Sequence, residues 1–354
     1  MKTRAEKIAD AEAAGLTFPY PDPPAKGATI EVAPGIHWAR LPLPMALDHV
    51  NIYLLEDADG WTVVDTGMKT RDGRAAWEEL LAGLLAGRPI HRVLVTHNHP
   101  DHIGLAGWLC EKVDAPLVTT RTSFLYAKML QLDGWDELPT DAVKYYKRAG
   151  FGPVEMERAQ NRAQFGFSKV CAPLPLGFER IVEGDVLRIG ARDWQVIVGH
   201  GHAAEHAMLW CETDGLLISG DQVLPRITSN IGVYPTEPDG DPLGEWLASC
   251  ARLRDLLPGD LLVFPGHNEP FTGVGIRLQQ LLDHHAETLS ALTEHLSEPR
   301  TAIECFETLF DRRITEQLQG FATVEAVAHL NHLVRTHRIS RKEEAGVYQY
   351  ARFQ

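Results

Sequence analysis

A chain of 354 residues exceeds the usual size of one domain, leaving room for one large domain, or for one domain and a small appendage, around a substantial core. With 44% hydrophobic and 23% charged residues it has the composition of an ordinary globular protein, and no apolar run is long enough to cross a bilayer, which argues against a membrane-embedded role. A formal net charge of -14 lowers the expectation of nucleic-acid binding, because phosphate binding draws on clustered Lys and Arg.

Residues 1–15 mix both signs of charge and lack the apolar core of a secretory signal, so the reading is of a cytoplasmic protein. Alternating apolar residues at 36–43, 50–55 and 61–65, separated by Asp, Gly and Pro, predict short strands. A helix is predicted over 74–85, then a buried strand over 91–96 that ends in polar residues, then a helix over 103–112. Residues 121–164 carry Trp135, Tyr145, Tyr146 and Phe151 among many charges and read as a helical insertion. Strands are predicted again at 180–187, 194–198, 207–211, 215–219 and 260–264. This order suits two packed sheets with helices outside.

From about residue 276 the pattern turns helical, over 278–296, 302–310 and 324–336, with a candidate strand at 346–352. Nine Lys or Arg stand against eleven Asp or Glu over 277–354, so this tail is not a basic arm. The five cysteines are odd in number, widely spaced and without a Cys-x-x-Cys pair, which argues against a disulfide framework and a thiolate zinc site.

The segment carrying the chemistry is Thr96-His97-Asn98-His99-Pro100-Asp101-His102, with three imidazoles and a carboxylate in six consecutive positions. If the chain stays extended through His97, alternation places His97 and His99 on one side, while Asp101 and His102 turn into the following helix. One loop can then feed two neighbouring metal positions. Imidazole and carboxylate are donors that zinc accepts.

His97-x-His99-x-Asp101-His102 resembles the signature of the metallo-β-lactamase superfamily, and other motifs follow the family's order. Asp65-Thr66-Gly67 resembles the turn preceding the signature, Gly201-His202 the Gly-His ligand motif, Ser219-Gly220-Asp221 the turn bearing the bridging carboxylate, and Pro265-Gly266-His267 the last ligand motif. The resemblance spans about residues 30–271. It implies an α/β protein, an αββα sandwich over residues 1–275 with a helical insertion at about 121–166. Residues 276–354 resemble the small, mainly helical winged-helix-like domain of some members, including a β-lactamase-like endoribonuclease.

Carried over by position, the resemblance implies one metal on His97, His99 and His202, a second on Asp101, His102 and His267, and Asp221 bridging. Two divalent ions are implied, zinc foremost, with iron the other candidate. Gly199-His200-Gly201-His202 offers two Gly-His pairs. His202 is taken as the ligand because His206 after it resembles the family's loop-supporting histidine; His200 is then structural. Asp221 stands where the best-known zinc β-lactamases carry cysteine, which turns the expectation away from penicillin-type substrates.

The implied activity is that of a metallo-hydrolase in which a metal-bridging hydroxide attacks a small ester, thioester or lactone, with Asp101 as ligand and proton carrier. The alternative is a metal-dependent endoribonuclease or phosphodiesterase acting on single-stranded RNA. A small-molecule substrate is favoured over nucleic acid, no membrane partner is expected, and oligomeric state stays open, a homodimer included. Among other residues, Asp65 is a candidate acceptor from a ligand histidine, and Cys110 reads as core. Tyr234 is a candidate oxyanion donor, and Trp135, Tyr145 and Tyr146 read either as a lid or as the core of the insertion. The tail histidines His284, His285, His295, His329, His332 and His337 read as exposed helix residues.

Overall fold

The computed structural model describes residues 2–135, 137–163, 166–310 and 313–353. Helix α1 (Arg4–Ala13) precedes four antiparallel strands, β1 (Ile30–Ala33), β2 (Ile36–Pro42), β3 (His49–Asp57) and β4 (Gly60–Val64). Helix α2 (Arg71–Ala82) leads to β5 (Ile90–Leu94), and α3 (Pro100–Ile103) and α4 (Ala106–Val113) lead to β6 (Leu117–Thr119). The insertion consists of α5 (Arg121–Leu132), α6 (Thr140–Arg148), α7 (Pro153–Ala163) and α8 (Phe167–Val170); residues 136, 164 and 165 within its predicted span lie outside the described residues. Strand β7 (Glu179–Arg180) completes a seven-stranded sheet in the order β1 to β7, parallel from β4 onward.

The second sheet is built from β8 (Val186–Ile189), β9 (Arg192–Gly199), β10 (His206–Cys211), β11 (Leu216–Gly220) and, after α9 (Pro242–Leu256), β12 (Leu262–Pro265). Its strands are antiparallel except for the parallel pair β11 and β12. The chain closes with α10 (Val274–His295), α11 (Phe306–Leu309), α12 (Gln319–Arg335) and the hairpin of β13 (Ile339–Glu344) and β14 (Val347–Arg352).

Three apolar layers hold these elements together. Trp38, Tyr53, Leu94, Trp194, Leu209 and Phe264 fill the space between the sheets. Trp77 and Leu80 of α2, Leu109 of α4 and Phe124 of α5 cover the outer face of the first sheet. The outer face of the second sheet, with Ile197, Met208 and Leu217, packs on Trp246 and Leu253 of α9, Leu278 and Leu289 of α10, and Val327 and Leu330 of α12. Strands β3, β4, β10 and β11 are buried on both faces, which is why apolar residues predominate at successive positions in them rather than strictly alternating. The expected αββα sandwich is therefore present, followed by a C-terminal unit of helices and a hairpin.

Some expectations need correction. The single strand predicted over 180–187 is two, β7 and β8, in different sheets, because Gly184 takes a left-handed φ of 87° and turns the chain between them. Helices α1 and α9 fall outside the predicted elements, although each announces itself. Thr3 and Glu6 form a capping box, and Asp241 caps a helix that opens with Pro242. His285 and His329, read as exposed, are buried, since α10 and α12 press together over the second sheet and those positions face inward.

Candidate metal centre

Four parallel strands, β4 and β5 in the first sheet and β11 and β12 in the second, point their C-terminal ends to the same edge of the sandwich. The loops leaving them carry Asp65, His97 to His102, Asp221 and His267. Such edges are where α/β sheets present functional residues. His202 arrives from the end of β9.

The turn 96–102 is clasped locally by the turn 65–67. Asp65, in the left-handed region at φ 63°, accepts from Thr96 N–H at 2.8 Å and from the Thr96 hydroxyl. Thr66 donates to the His102 carbonyl through both its N–H and its hydroxyl. His99 caps α3 and Pro100 fills its first position, where a missing N–H costs nothing, so the chain turns at once and delivers Asp101 and His102.

The seven predicted residues come together. His97 Nε2 lies 3.0 Å from His99 Nδ1, which lies 3.0 Å from His202 Nε2, and the third side of the triangle is 3.3 Å. Tetrahedral donors about 2.0–2.1 Å from one cation stand about 3.3–3.4 Å apart, so these nitrogens need open only slightly to hold it. Asp101, His102 and His267 form a second group, with His267 Nε2 3.3 Å and His102 Nε2 3.7 Å from Asp101 Oδ2. Asp221 lies between the groups, one oxygen 3.4 Å from His102 Nε2 and the other 3.2 Å from His267 Nε2 and 3.6 Å from His202 Nε2.

The chemistry of this donor set fits cations. Among the described residues His102 Nε2 and Asp221 Oδ1 are buried without a hydrogen-bond partner, an arrangement that costs free energy unless something positive meets their lone pairs. Burial holds the His99 imidazole down to about 3, and also lowers His97 and His202, so these rings are neutral donors at pH 7. Burial pushes His267 and His102 the same way, yet Asp221 and Asp101 outweigh it and raise His267 to about 10 and His102 well above its usual value. Burial likewise opposes the charge on Asp101 and Asp221, but the surrounding imidazoles keep both carboxyls below the ordinary range. A field that draws protons onto two buried histidines is one that draws a divalent cation. Gly266 leaves the necessary space, because a Cβ there would meet Asp221 Oδ1 at 2.2 Å.

The hydrogen bonds behind the donors fix which nitrogen faces inward. His102 Nδ1 donates to Asp65 at 2.8 Å, His202 Nδ1 to the Asn230 carbonyl at 2.7 Å and His267 Nδ1 to the His49 carbonyl at 2.8 Å, leaving each Nε2 lone pair free. His97 Nδ1 lies 3.0 Å from the Thr96 hydroxyl. His206 stacks on His97 and accepts from the Asp221 N–H, supporting the loop, while His200 is exposed and its ring stays outside the cluster. Asn230 and His49 escaped the sequence reading because they act through backbone carbonyls, which every residue has. Asp65 and Thr96 had a signal, their place beside the histidine run.

Beside His99 and His202 opens a cleft walled by Tyr126, Tyr234, Thr236, Glu237, Asp241 and Glu245. No Lys or Arg is among the described residues lining it. Tyr234 is 39% exposed there. Tyr145 is instead buried, donating to the Val233 carbonyl at 2.7 Å, and Trp135 and Tyr146 line a separate cavity between the insertion and the start of α12. Cys110 is a core residue whose thiol burial pushes up to about 12.

Fold and donor cluster together define a metallo-hydrolase. Residues 45–267 match the metallo-beta-lactamase superfamily and residues 288–353 the metallo-beta-lactamase-like C-terminal domain, so the chain belongs to the metallo-β-lactamase superfamily. It superimposes on the crystal structure of a beta-lactamase domain protein from Burkholderia ambifaria with a TM-score of 0.90 at 38% identity, covering 98% of this chain and 100% of that one. For the metallo-beta-lactamase family protein TTHA1429 of Thermus thermophilus the TM-score is 0.76 at 29% identity, over 91% of this chain and 100% of that one. The probable metallo-hydrolase YqjP of Bacillus subtilis (strain 168) is 27% identical over 299 residues, 82% of this chain and 90% of that protein.

Proposed function

We propose that the protein is a binuclear zinc hydrolase of a small ester, thioester or lactone. The observation that carries this reading is the convergence of seven donors on two adjoining points, with Asp221 facing both. His97, His99 and His202 would hold one cation, Asp101, His102 and His267 the other. A pair of divalent ions in such a site supplies an activated water at neutral pH and polarises the scissile carbonyl. A donor set of imidazole and carboxylate without thiolate suits zinc, and elemental analysis separates zinc from iron.

The rest falls to the chain's own side chains. Asp101 keeps 19% of its side chain exposed, against 8% for Asp221, so it is the more accessible of the two carboxylates and the one that would take a proton from the attacking water and return it to the leaving group. Tyr126 and Tyr234 give the cleft an apolar, hydrogen-bonding wall for an uncharged acyl or leaving group. Glu237, Asp241 and Glu245 line the same cleft with no cation among the described residues there, which opposes entry of a polyanion and weighs against the single-stranded RNA alternative. The ordinary globular composition accords with the proposed cytoplasmic setting, and no described helix is long and apolar enough to cross a membrane.

The purified protein, loaded with zinc, should hydrolyse members of a panel of nitrophenyl esters, thioesters and lactones, and a chelator should abolish the activity until zinc is returned. Cleavage of single-stranded RNA with no turnover of the panel would overturn the substrate class.

A further inference from the structure

His202 turns its Nε2 toward the cluster with Nδ1–H bound to the Asn230 carbonyl at 2.7 Å, a contact that fixes tautomer and ring orientation. Asn230 belongs to the segment 221–241, which links β11 to α9 without a helix or strand of its own. A connection of that length is ordinarily mobile unless something external fixes it. Here the fixing comes largely from the C-terminal unit. The Asn230 side-chain amide donates to the Glu325 carboxylate of α12 at 2.8 Å, and Val233 N–H donates to the Val324 carbonyl at 3.0 Å. Gly232 lies so close that a Cβ would meet Val324 Cγ2 at 2.8 Å. Further along, Asn331 donates to the Pro238 and Gly240 carbonyls, each at 3.0 Å, and Arg277 of α10 donates to those of Leu224 and Ile227.

We propose that Glu325 is a positioning residue for the metal centre: its carboxylate anchors the Asn230 amide, and thereby the carbonyl that orients His202, which makes α12 part of the site. This rests on the proposed role of His202 as a ligand. Glu325 lies two hydrogen bonds behind His202, so its effect should be at the low end of what loss of an outer partner causes, about tenfold in metal affinity. The effect should fall on the cation of His97, His99 and His202 and spare the other.

The test is zinc titration of the full-length apo-protein against a competing chelator, for wild type, Glu325→Ala, Glu325→Gln, Asn230→Ala, the Glu325→Ala/Asn230→Ala double variant and His202→Ala. A Gln carbonyl accepts the Asn230 amide as a carboxylate does, so Glu325→Gln should bind zinc close to wild type. Glu325→Ala should lose about tenfold at one of two sites, and the double variant should lose no more than either single one. The thermal midpoint of each apo-protein shows whether it has folded, and Asn230→Ala severs the same bond from the loop side if Glu325→Ala does not fold. Wild-type zinc affinity in Asn230→Ala, or additive losses in the double variant, would overturn the proposal. Retention of both zinc equivalents by His202→Ala would instead overturn the ligand assignment beneath it.

Discussion

The turn 96–102 and the segment 221–241 bring donors to the same point by opposite means. The turn is held by its neighbours: Asp65 and Thr66 close on Thr96 and His102 through short hydrogen bonds, and Pro100 starts the helix that aims Asp101 and His102. The segment instead leans on residues about a hundred positions further along, Val324, Glu325 and Asn331. Four of the seven candidate donors can thus be written in one compact motif, while the orientation of His202, and the wall of the cleft beside it, depend on a remote part of the chain.

The largest effect should come from within the turn. Asp101→Ala should lower kcat by about 10²–10⁴-fold, since it removes a donor and the proposed proton carrier together. Near-normal kcat in a purified, zinc-loaded sample would remove Asp101 from the chemistry. One layer back, Asp65→Ala leaves His102 Nδ1–H and Thr96 without their acceptor and should weaken metal binding by about 10–100-fold, read by chelator competition. Unchanged affinity would show that the turn does not need its clasp.

Asn331→Ala sharpens the contrast from the other side. It removes two hydrogen bonds to the far end of the segment, at Pro238 and Gly240, beside the cleft residues Thr236 and Glu237. KM should rise about 3–10-fold with little change in zinc affinity. A fall in zinc affinity equal to that of Asp65→Ala would erase the distinction between the two regions.

The smallest effect concerns stability alone. His285 is buried between α10 and α12 with neither ring nitrogen hydrogen-bonded among the described residues, so His285→Leu should stabilise the fold by about 1 kcal/mol in thermal or urea unfolding. Burial, with His329 and His284 adding to it, pushes this imidazole from its ordinary 6.5 down to about 3. A depressed base folds as the neutral ring, so its contribution is whole above pH 6.5 and is lost as the pH falls from there toward 3. The leucine variant should therefore lose less stability than wild type between pH 6.5 and 4. Parallel curves would contradict the burial of a neutral ring.

Much of this was legible in the sequence. Strands β3, β10 and β11 show in the sequence as short apolar stretches bounded by turn residues, and the family-like motifs lie at strand ends where ligand residues belong. What the sequence hid has physical reasons. The carbonyls of Asn230 and His49 leave no mark in side-chain chemistry. The inward turn of His285 and His329 depends on packing between helices that periodicity alone does not orient. Between residues 180 and 187 a run of strand-forming residues crosses from one sheet to the other, and the turn at Gly184 and Asp185 is the local sign.

The central claim is that the converged donors hold a pair of cations. The direct measurement is elemental analysis of the chain purified without chelators, beside its His200→Ala and His202→Ala variants. Wild type and His200→Ala should each carry two transition-metal ions per chain, and His202→Ala one. Wild-type protein that carries no metal and takes up none from a zinc solution would contradict that claim.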